Sequence, residues 1–294
     1  MVSKDQKRWQ AVAHIVMIFL SAMAILPFLL LIIASFTDET VALLDGYRYF
    51  PEIWSLEAYK YIWASAGIYL KAYGMTIAVT AIGTVVSIII TALTGYVLSK
   101  RNLPGVKIMN FIVIFTMLFN GGLVATYINY VTIFDIKKIP LVALIVPSLL
   151  MNAFMVMLVR NYFATSIPEE IYESARIDGA SEICIFIKLV LPLSVPILAT
   201  VGLMTGIAYW NDWQNSLYYV SDKDFYTIQA HLNAINEGIA ALKSLTPAGV
   251  NTADLPSTTM RMAVAVVGIL PIILLYPFFQ KYFAKGLVAG AVKG

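Results

Sequence analysis

The sequence predicts an all-α membrane protein with six transmembrane helices, and two observations support this prediction. Hydrophobic residues make up 60% of the 294-residue chain, whereas charged residues make up only 13%. Soluble domains are about 45–50% apolar and about 25% charged, so a soluble core of this size could not bury so much apolar surface. Six apolar segments each approach or exceed the roughly 20 helical residues that a bilayer core requires. They are 12–36, 72–99, 108–130, 141–162, 196–218 and 260–283.

The distribution of Lys and Arg predicts that both termini lie in the cytoplasm. The N-terminus carries Lys4, Lys7 and Arg8, and the short segments expected on the same side are also basic. Positive residues accumulate in the cytoplasmic loops of membrane proteins. An even number of helices returns the C-terminus to that side. The first apolar segment is longer than the core of a signal peptide, so it is interpreted as an uncleaved helix.

The chain is predicted to form one transmembrane domain over residues 1–294. Two longer extracytoplasmic loops are expected at 37–71 and 219–259, each too short to form a sizeable domain of its own. Both are interpreted as caps on the outer face of the helix bundle. A cytoplasmic loop at 166–196 and a cytoplasmic tail at 284–294 complete the arrangement.

The loop at 166–196 is the most informative segment, because it is long and polar in an otherwise apolar chain. Ser166 and Glu169 match a capping box, with Pro168 in the first turn, which predicts a short helix over about 167–177. Its apolar residues are expected to face the membrane domain, and its charged residues are expected to face water. The inward-facing set is Ile171, Ala175 and Ile177, and the outward-facing set is Glu169, Glu170, Glu173 and Arg176.

A sharp corner is predicted directly after this helix. Asp178 and Gly179 should end it, because glycine readily adopts the left-handed conformation that is common at helix ends. Ser181 can then cap a second short helix that runs toward Leu191 and Pro192. The sequence therefore predicts two short helices joined at a glycine corner.

This loop resembles the EAA loop of binding-protein-dependent ABC importers. The run ESARIDGAS, followed by LPLSVP, is similar to the carbohydrate permeases of the maltose-type family. Ser174 stands where the motif usually has alanine, and Leu189 stands where isoleucine is common. The resemblance extends along most of the chain, including its ending. The resemblance implies that some residues of this loop couple the permease to an ATPase. They are Glu173, Ser174, Ala175, Asp178, Gly179, Ala180, Leu191 and Pro192.

The resemblance implies a type I ABC importer permease fold in the bacterial cytoplasmic membrane. It implies transport of a carbohydrate, in particular an oligosaccharide or polysaccharide fragment. The implied partners are a homologous second permease subunit, two cytoplasmic ABC ATPases and an extracytoplasmic sugar-binding protein, with the lipid bilayer as solvent and no nucleic acid. The chain lacks a Gly-rich phosphate loop, so no cofactor is expected on it, and ATP and Mg are assigned to the ATPases.

The C-terminal tail has two interpretations. Its glycines disfavour an independent helix, which suggests a frayed end. The resemblance instead implies that the tail enters the interface between the two ATPases. The residues proposed to make that contact are Gly286, Gly290, Lys293 and Gly294.

Aromatic and amide side chains in the apolar segments are candidates for the substrate path. Sugars bind to aromatic faces and to groups that hydrogen-bond with their hydroxyls, although an interfacial belt of aromatic residues is the alternative. Polar residues within transmembrane helices commonly face the bundle interior. The candidates are Asn120, Asn152, Tyr209, Trp210, Asn211 and Trp213, near Asp212.

One face of the second apolar segment carries only small residues, namely Gly83, Ser87, Thr91 and Gly95 at a spacing of four. Such a stripe allows a second backbone to approach closely. It is expected either to pack within the chain or to contact the second permease subunit.

Three other functions are weighed against ABC import of a sugar. They are a secondary transporter driven by an ion gradient, an ABC permease for a non-sugar solute, and a membrane enzyme. A secondary transporter would usually carry intramembrane carboxylates, and an enzyme would need a catalytic constellation. The chain has two histidines and one cysteine and no zinc motif, so no catalytic or metal-binding residues are predicted.

Overall fold

The computed structural model describes residues 4–100, 102–147, 149–245 and 258–291. Within these ranges the chain is helical, and its one β-type pairing is an isolated bridge between Thr37 and Trp54. The α-helices in chain order are α1 (Lys4–Ser35), α2 (Glu39–Leu44), α3 (Glu57–Ala64), α4 (Ala66–Ser99), α5 (Val106–Leu118), α6 (Gly122–Ile128), α7 (Pro140–Ile145), α8 (Ala153–Ser166), α9 (Glu169–Ile177), α10 (Glu182–Ile185), α11 (Leu191–Leu193), α12 (Val195–Trp210), α13 (Gln214–Tyr219), α14 (Ile228–Leu245) and α15 (Thr258–Ala291). Short π-helical turns at Asn129–Ile133 and Phe186–Val190 and 3-10 turns at Ile136–Lys138 and Lys223–Phe225 join some of them.

Two of the described helices are individually long and apolar enough to cross a membrane. They are the part of α1 from Arg8 to Ser35, with 28 residues, and α4, with 34. Two further pairs qualify only as bent spans: Val106–Leu118 with Gly122–Ile133, bent by 118°, and Glu182–Leu193 with Val195–Trp210, bent by 79°. The first part of α15, Thr258–Leu274, is also apolar but is shorter than these spans. Six spans with both termini in the cytoplasm therefore stay a prediction.

Three segments predicted as continuous helices are broken in the structure, so the predictions for 108–130, 141–162 and 196–218 are wrong in this respect. Each break contains a residue whose side chain accepts a hydrogen bond from the backbone at the start of the next helix. These acceptors are Asn120 Oδ1 from Gly122 N, Asn152 Oδ1 from Met155 N, and Asp212 Oδ1 from Gln214 N and Asn215 N. Such side chains favour new helix starts over helix interiors.

The chain divides into two compact units, one formed by Met1–Tyr69 with Leu232–Pro271 and the other by Leu70–His231 with Ile272–Gly294. The first unit contains α1 to α3. Ser35 Oγ lies 2.7 Å from the Tyr59 hydroxyl, and the Phe36 ring stacks on that of Tyr59 at 4.8 Å between centroids. These contacts hold α3 against the end of α1.

Glu39 caps the beginning of α15 within the first unit. Its carboxylate accepts hydrogen bonds from Thr258 N at 2.8 Å, Thr259 N at 2.9 Å and Thr259 Oγ1 at 2.5 Å, and the residue is only 8% exposed. A carboxylate at this position satisfies N–H groups that have no partner within the helix and complements the helix dipole.

Glu39→Ala is expected to destabilise the protein by about 2–4 kcal/mol, because buried donors that lose their acceptor cost about 1–3 kcal/mol each. Thermal unfolding of the purified protein in detergent measures this loss. Glu57→Ala is the matched control, since Glu57 lies exposed in the first turn of α3. Equal unfolding temperatures for the two variants would contradict the capping role.

The small-residue stripe of α4 packs within the chain. A Cβ on Gly83 would lie 2.6 Å from Tyr209 Cζ, and a Cβ on Gly95 would lie 3.0 Å from Val159 Cγ1. Ser87 and Thr91 are also buried. The prediction of intrachain packing is therefore confirmed for this stripe.

The helical backbone of α15 continues through Gly286 and Gly290 to Ala291. The tail thus continues an existing helix, and the expectation that its glycines disfavour an independent helix stays a prediction. Extending a helix that already exists needs no new nucleus, so scattered glycines are tolerated better than in an isolated peptide. Lys293 and Gly294 lie outside the described residues.

Candidate functional site

Two short helices joined at a glycine corner form the loop at 166–196, as predicted. Gly179 has a φ of +77°, in the left-handed region that residues with a Cβ rarely adopt. Its N–H donates to Arg176 O, and the Ala180 N–H donates to Ala175 O, both at 3.0 Å. This is the Schellman pattern of helix termination, in which α9 ends and the chain turns sharply.

Ser181 caps the second helix, as predicted, by accepting a hydrogen bond from Cys184 N at 3.3 Å. The helical path then continues through α10, the π-turn Phe186–Val190 and α11, which contains Leu191 and Pro192. Leu191 is half-buried and Pro192 is exposed. The helical segment Glu182–Leu193 therefore leads directly into α12, with a bend of 79° between the two.

The start of α9 differs from the prediction. Ser166 is the last residue of α8, and Pro168 precedes α9 in an extended conformation without a side-chain cap. The predicted capping box of Ser166 and Glu169 is therefore wrong. Proline disfavours the helical conformation in the residue before it, and Ile167 is accordingly extended.

The buried face of α9 is formed by Tyr172 and Ala175, with 2% and 9% of their surface exposed. Ala175 was predicted to face inward, and this is confirmed. Ile171 is half-buried, but Ile177 is 85% exposed, so the prediction that Ile177 faces the domain is wrong. Ile177 lies five residues after Tyr172, which places it about 140° around the helix from that side chain.

Glu182 links three elements of the loop region. Its Oε2 accepts a hydrogen bond of 2.6 Å from the Tyr96 hydroxyl on α4, and its Oε1 accepts one of 2.8 Å from Arg176 Nε on α9. The hydrogen bond from Tyr96 is the main cause of the lowered pKa of Glu182, and Arg176 adds to it. Arg176 also lies 3.7 Å from Glu169 Oε1. The carboxylate is therefore held from two directions.

Lys100 lies over the aromatic rings next to this carboxylate. Its Nζ is 3.1 Å from the centroid of the Tyr172 ring and 4.9 Å from that of Tyr96, and the atom is buried without a hydrogen bond. Burial lowers the pKa of Lys100, and it raises the pKa of the Tyr172 hydroxyl to about 12. Cation–π contacts with both rings stabilise the ammonium group in place of hydrogen bonds.

A cavity of about 790 Å³ lies beside this cluster. Glu169, Glu173 and Arg176 line it from α9, and Lys100 and Asn102 line it from the segment that follows α4. Of the residues predicted to couple to an ATPase, Glu173, Ser174, Asp178 and Gly179 are exposed and Ala180 is half-buried. The outer face of the loop is therefore available for a partner.

A smaller polar cavity of about 250 Å³ brings together two parts of the predicted substrate path. Asn120 lines it from the break between α5 and α6, and Asp212 lines it from the break between α12 and α13. Its other polar lining residues are Thr126, Gln214, Asn215, Tyr218 and Tyr219. Amide, hydroxyl and carboxylate groups in one concave site can hydrogen-bond to sugar hydroxyls.

The remaining path candidates are placed elsewhere. Tyr209 is fully buried, and its hydroxyl donates to Ile145 O at 2.9 Å. Trp210 lines a separate, mostly apolar cavity of about 390 Å³ between α4 and α12. Asn211 is exposed and Trp213 is half-buried, whereas Asn152 caps α8. The structure therefore brings only Asn120 of the six candidates into the cavity beside Asp212.

Sequence reasoning missed the cluster of Tyr96, Lys100, Tyr172 and Glu182. The spacing of Tyr172 and Ala175 is a weak signal for a shared buried face. No local pattern connects Tyr96 with Glu182, which are 86 residues apart. Among the described residues, no group of three or more His, Cys, Asp or Glu side chains could hold a metal ion.

Comparisons with known proteins agree with this architecture. The chain is 37% identical over 285 residues to the polygalacturonan/rhamnogalacturonan transport system permease protein YtcP of Bacillus subtilis, which covers 95% of this chain and 96% of that protein. It is also 37% identical over 280 residues to the protein LplC of Bacillus subtilis, covering 93% and 90% of the two chains.

A solved structure shares the fold. It is the crystal structure of a bacterial ABC transporter involved in the import of the acidic polysaccharide alginate, matched with a TM-score of 0.74 and 25% identity over 96% of this chain and 99% of that one. Residues 94–288 match the family described as binding-protein-dependent transport system inner membrane component. The chain therefore belongs to this family of inner-membrane permease components of ABC importers.

Proposed function

We propose that this chain is the permease subunit of an ABC importer that carries fragments of acidic polysaccharides across the bacterial cytoplasmic membrane. The observation that carries the proposal is the corner at Gly179, which ends α9 and leaves Glu173 exposed on its outer face, at the position of the coupling loop that the family resemblance implies. The acidic substrate class is supported by two relatives, whose names refer to polygalacturonan and alginate.

In this proposal, energy comes from outside the chain. Two cytoplasmic ATPases bind ATP and Mg and receive the exposed side of the coupling loop, including Glu173. A homologous permease completes the translocation path, and an extracytoplasmic binding protein delivers the sugar. The tail containing Gly286 and Gly290 follows the last span toward the ATPases.

Transport measurements in proteoliposomes test this function. The chain is co-reconstituted with a second permease, ATPases and a binding protein of the same transporter, and uptake of labelled oligogalacturonides is measured. We expect uptake only with ATP and Mg on the ATPase side, and little uptake of neutral maltooligosaccharides. Uptake driven by an ion gradient without ATP would contradict an ABC importer, and equal uptake of the neutral sugars would contradict the acidic substrate class.

The cavity lined by Asn120 and Asp212 is proposed as part of the translocation path. Asn120→Ala is expected to raise the substrate concentration for half-maximal uptake about three- to tenfold, since one hydrogen bond contributes about 0.5–1.5 kcal/mol. Basal ATP hydrolysis should be unchanged. Asn152→Ala is the matched control, because it also removes a side-chain acceptor at a helix break, and Asn152 does not line this cavity.

An unchanged half-maximal concentration in Asn120→Ala would remove this cavity from the path. An equal increase in Asn152→Ala would show that the effect comes from general loosening of the helix breaks.

A further inference from the structure

Two polar residues at the C-terminal end of α4 contact the loop at 166–196. Tyr96 lies in the last turn of α4, and Lys100 follows that helix directly. Their partners, Glu182 and Tyr172, are far away in sequence and belong to α10 and α9. The contacts therefore join a long apolar helix to the two short helices of the coupling loop.

We propose that Tyr96 and Lys100 are positioning residues for energy coupling, which join α4 to α9 and α10 so that α4 moves together with the coupling loop. This inference rests on the proposed function, because it assigns these residues a task in an ATP-driven transporter. It extends that function to a helix that does not adjoin the loop along the chain.

The first joint is the shared carboxylate of Glu182. One of its oxygens accepts from Tyr96 at 2.6 Å, and the other accepts from Arg176 at 2.8 Å. Hydrogen bonds to an ionised group are short, directional and stronger than neutral ones. Displacing α9 relative to α4 would therefore break at least one of the two.

The second joint is Lys100 over Tyr172. Tyr172 is the large buried side chain of α9, and its ring lies 6.4 Å from the Tyr96 ring. Lys100 Nζ contacts the faces of both rings and forms no hydrogen bond. The position of the ammonium group thus depends on both rings, one on α4 and one on α9.

The charges around Lys100 make this arrangement specific. Glu169 and Glu182 attract the ammonium group from α9 and α10, and Arg176 opposes it. Apolar side chains would let α4 and α9 slide past each other. The ring faces and charges around Lys100, in contrast, are all satisfied in one relative position of the two helices. The cluster is therefore suited to transmitting a displacement of the loop rather than absorbing it.

The test uses the complete reconstituted transporter and measures the number of substrate molecules imported per ATP hydrolysed. Tyr96→Phe removes one hydroxyl, and Lys100→Met removes the charge but keeps an unbranched side chain. We expect each to lower this ratio at least threefold, with assembly and basal ATP hydrolysis retained. Lys100→Arg keeps a cation over the rings and is expected to retain most of the ratio. Lys107→Met is the matched control, because Lys107 is exposed in the first turn of α5.

Two further variants separate the possible results. Tyr96→Phe combined with Glu182→Ala should lower the ratio less than the product of the single effects, because both variants remove the hydrogen bond between Tyr96 and Glu182. Gly179→Val is included to test the loop itself. If Gly179→Val uncouples transport while Tyr96→Phe and Lys100→Met do not, the positioning role is overturned and the proposed function stands. If Gly179→Val also keeps a normal ratio, the loop does not couple ATP hydrolysis to transport. That result would contradict the proposed function as well as the positioning role that rests on it.

Discussion

Gly179→Val is expected to reduce uptake and substrate-stimulated ATP hydrolysis to near background while the protein still inserts in the membrane. The φ of +77° at this corner costs a residue with a Cβ about 1–2 kcal/mol, and a β-branched residue is especially unfavourable there. No atom lies within 4 Å of the added Cβ, so the effect comes from backbone strain rather than from a clash. The corner would relax, and α9 would lose its orientation relative to α10.

Two variants control for this interpretation. Gly179→Asn should retain much of the activity, because asparagine tolerates the left-handed conformation. Gly105→Val introduces comparable strain at a φ of +82°, also in open space, but between α4 and α5. We expect Gly105→Val to keep its coupling. If it uncoupled transport as strongly as Gly179→Val, the corner would have no special role.

Gly83→Ala is expected to destabilise the helix bundle by about 1–3 kcal/mol through overpacking. The new Cβ would lie 2.6–2.9 Å from three atoms of the Tyr209 ring. That ring cannot easily withdraw, because it is fully buried and its hydroxyl is bonded to Ile145 O. Thermal unfolding of the detergent-solubilised protein measures the loss.

Gly74→Ala is the matched control on the same helix. No atom lies within 4 Å of its added Cβ, so the higher helix propensity of alanine should leave the stability equal or raise it by up to about 1 kcal/mol. A double-mutant cycle identifies the cause: in a Tyr209→Leu background, Gly83→Ala should cost much less. The same cost in both backgrounds would show that the ring is not what excludes a side chain at position 83.

The corner in the loop at 166–196 was predictable because its signals are local. A glycine after an aspartate marks where one helix ends, and a serine cap two residues later marks where the next begins. Both features are present in the structure. The family resemblance lies in the same residues. The start of α9 was misjudged because Ser166 completes the preceding helix instead of capping the next one.

The helix breaks were harder to predict because apolar composition alone does not distinguish a continuous span from a bent one. Asn120, Asn152 and Asp212 each accept a hydrogen bond from the backbone at the start of a new helix, and these bonds become visible only in the structure. The break between α5 and α6 contains Asn120, Gly121 and a bend of 118°. Polar caps within apolar segments are therefore informative about breaks as well as about function.

The cluster around Glu182 could not be predicted, because its members come from three elements and from distant parts of the sequence. Tyr96 lies in an apolar helix, where an aromatic residue is unremarkable. Its role depends on a carboxylate that α10 places 2.6 Å from its hydroxyl. Tertiary contacts of this kind leave no periodic signal along a single sequence.

Cysteine cross-linking from position 173 tests the central claim, that the loop at 166–196 contacts the ATPase, most directly. Glu173→Cys is placed in a Cys184→Ser background, which removes the one native cysteine of this chain. The assembled transporter is treated with a short cross-linker that has a thiol-reactive group at one end and a photoreactive group at the other, so the ATPase needs no cysteine. The account predicts a cross-link from position 173 to the ATPase subunit, and none from Glu57→Cys in the loop at 37–71. A cross-link from position 57 to the ATPase, with none from position 173, would contradict it.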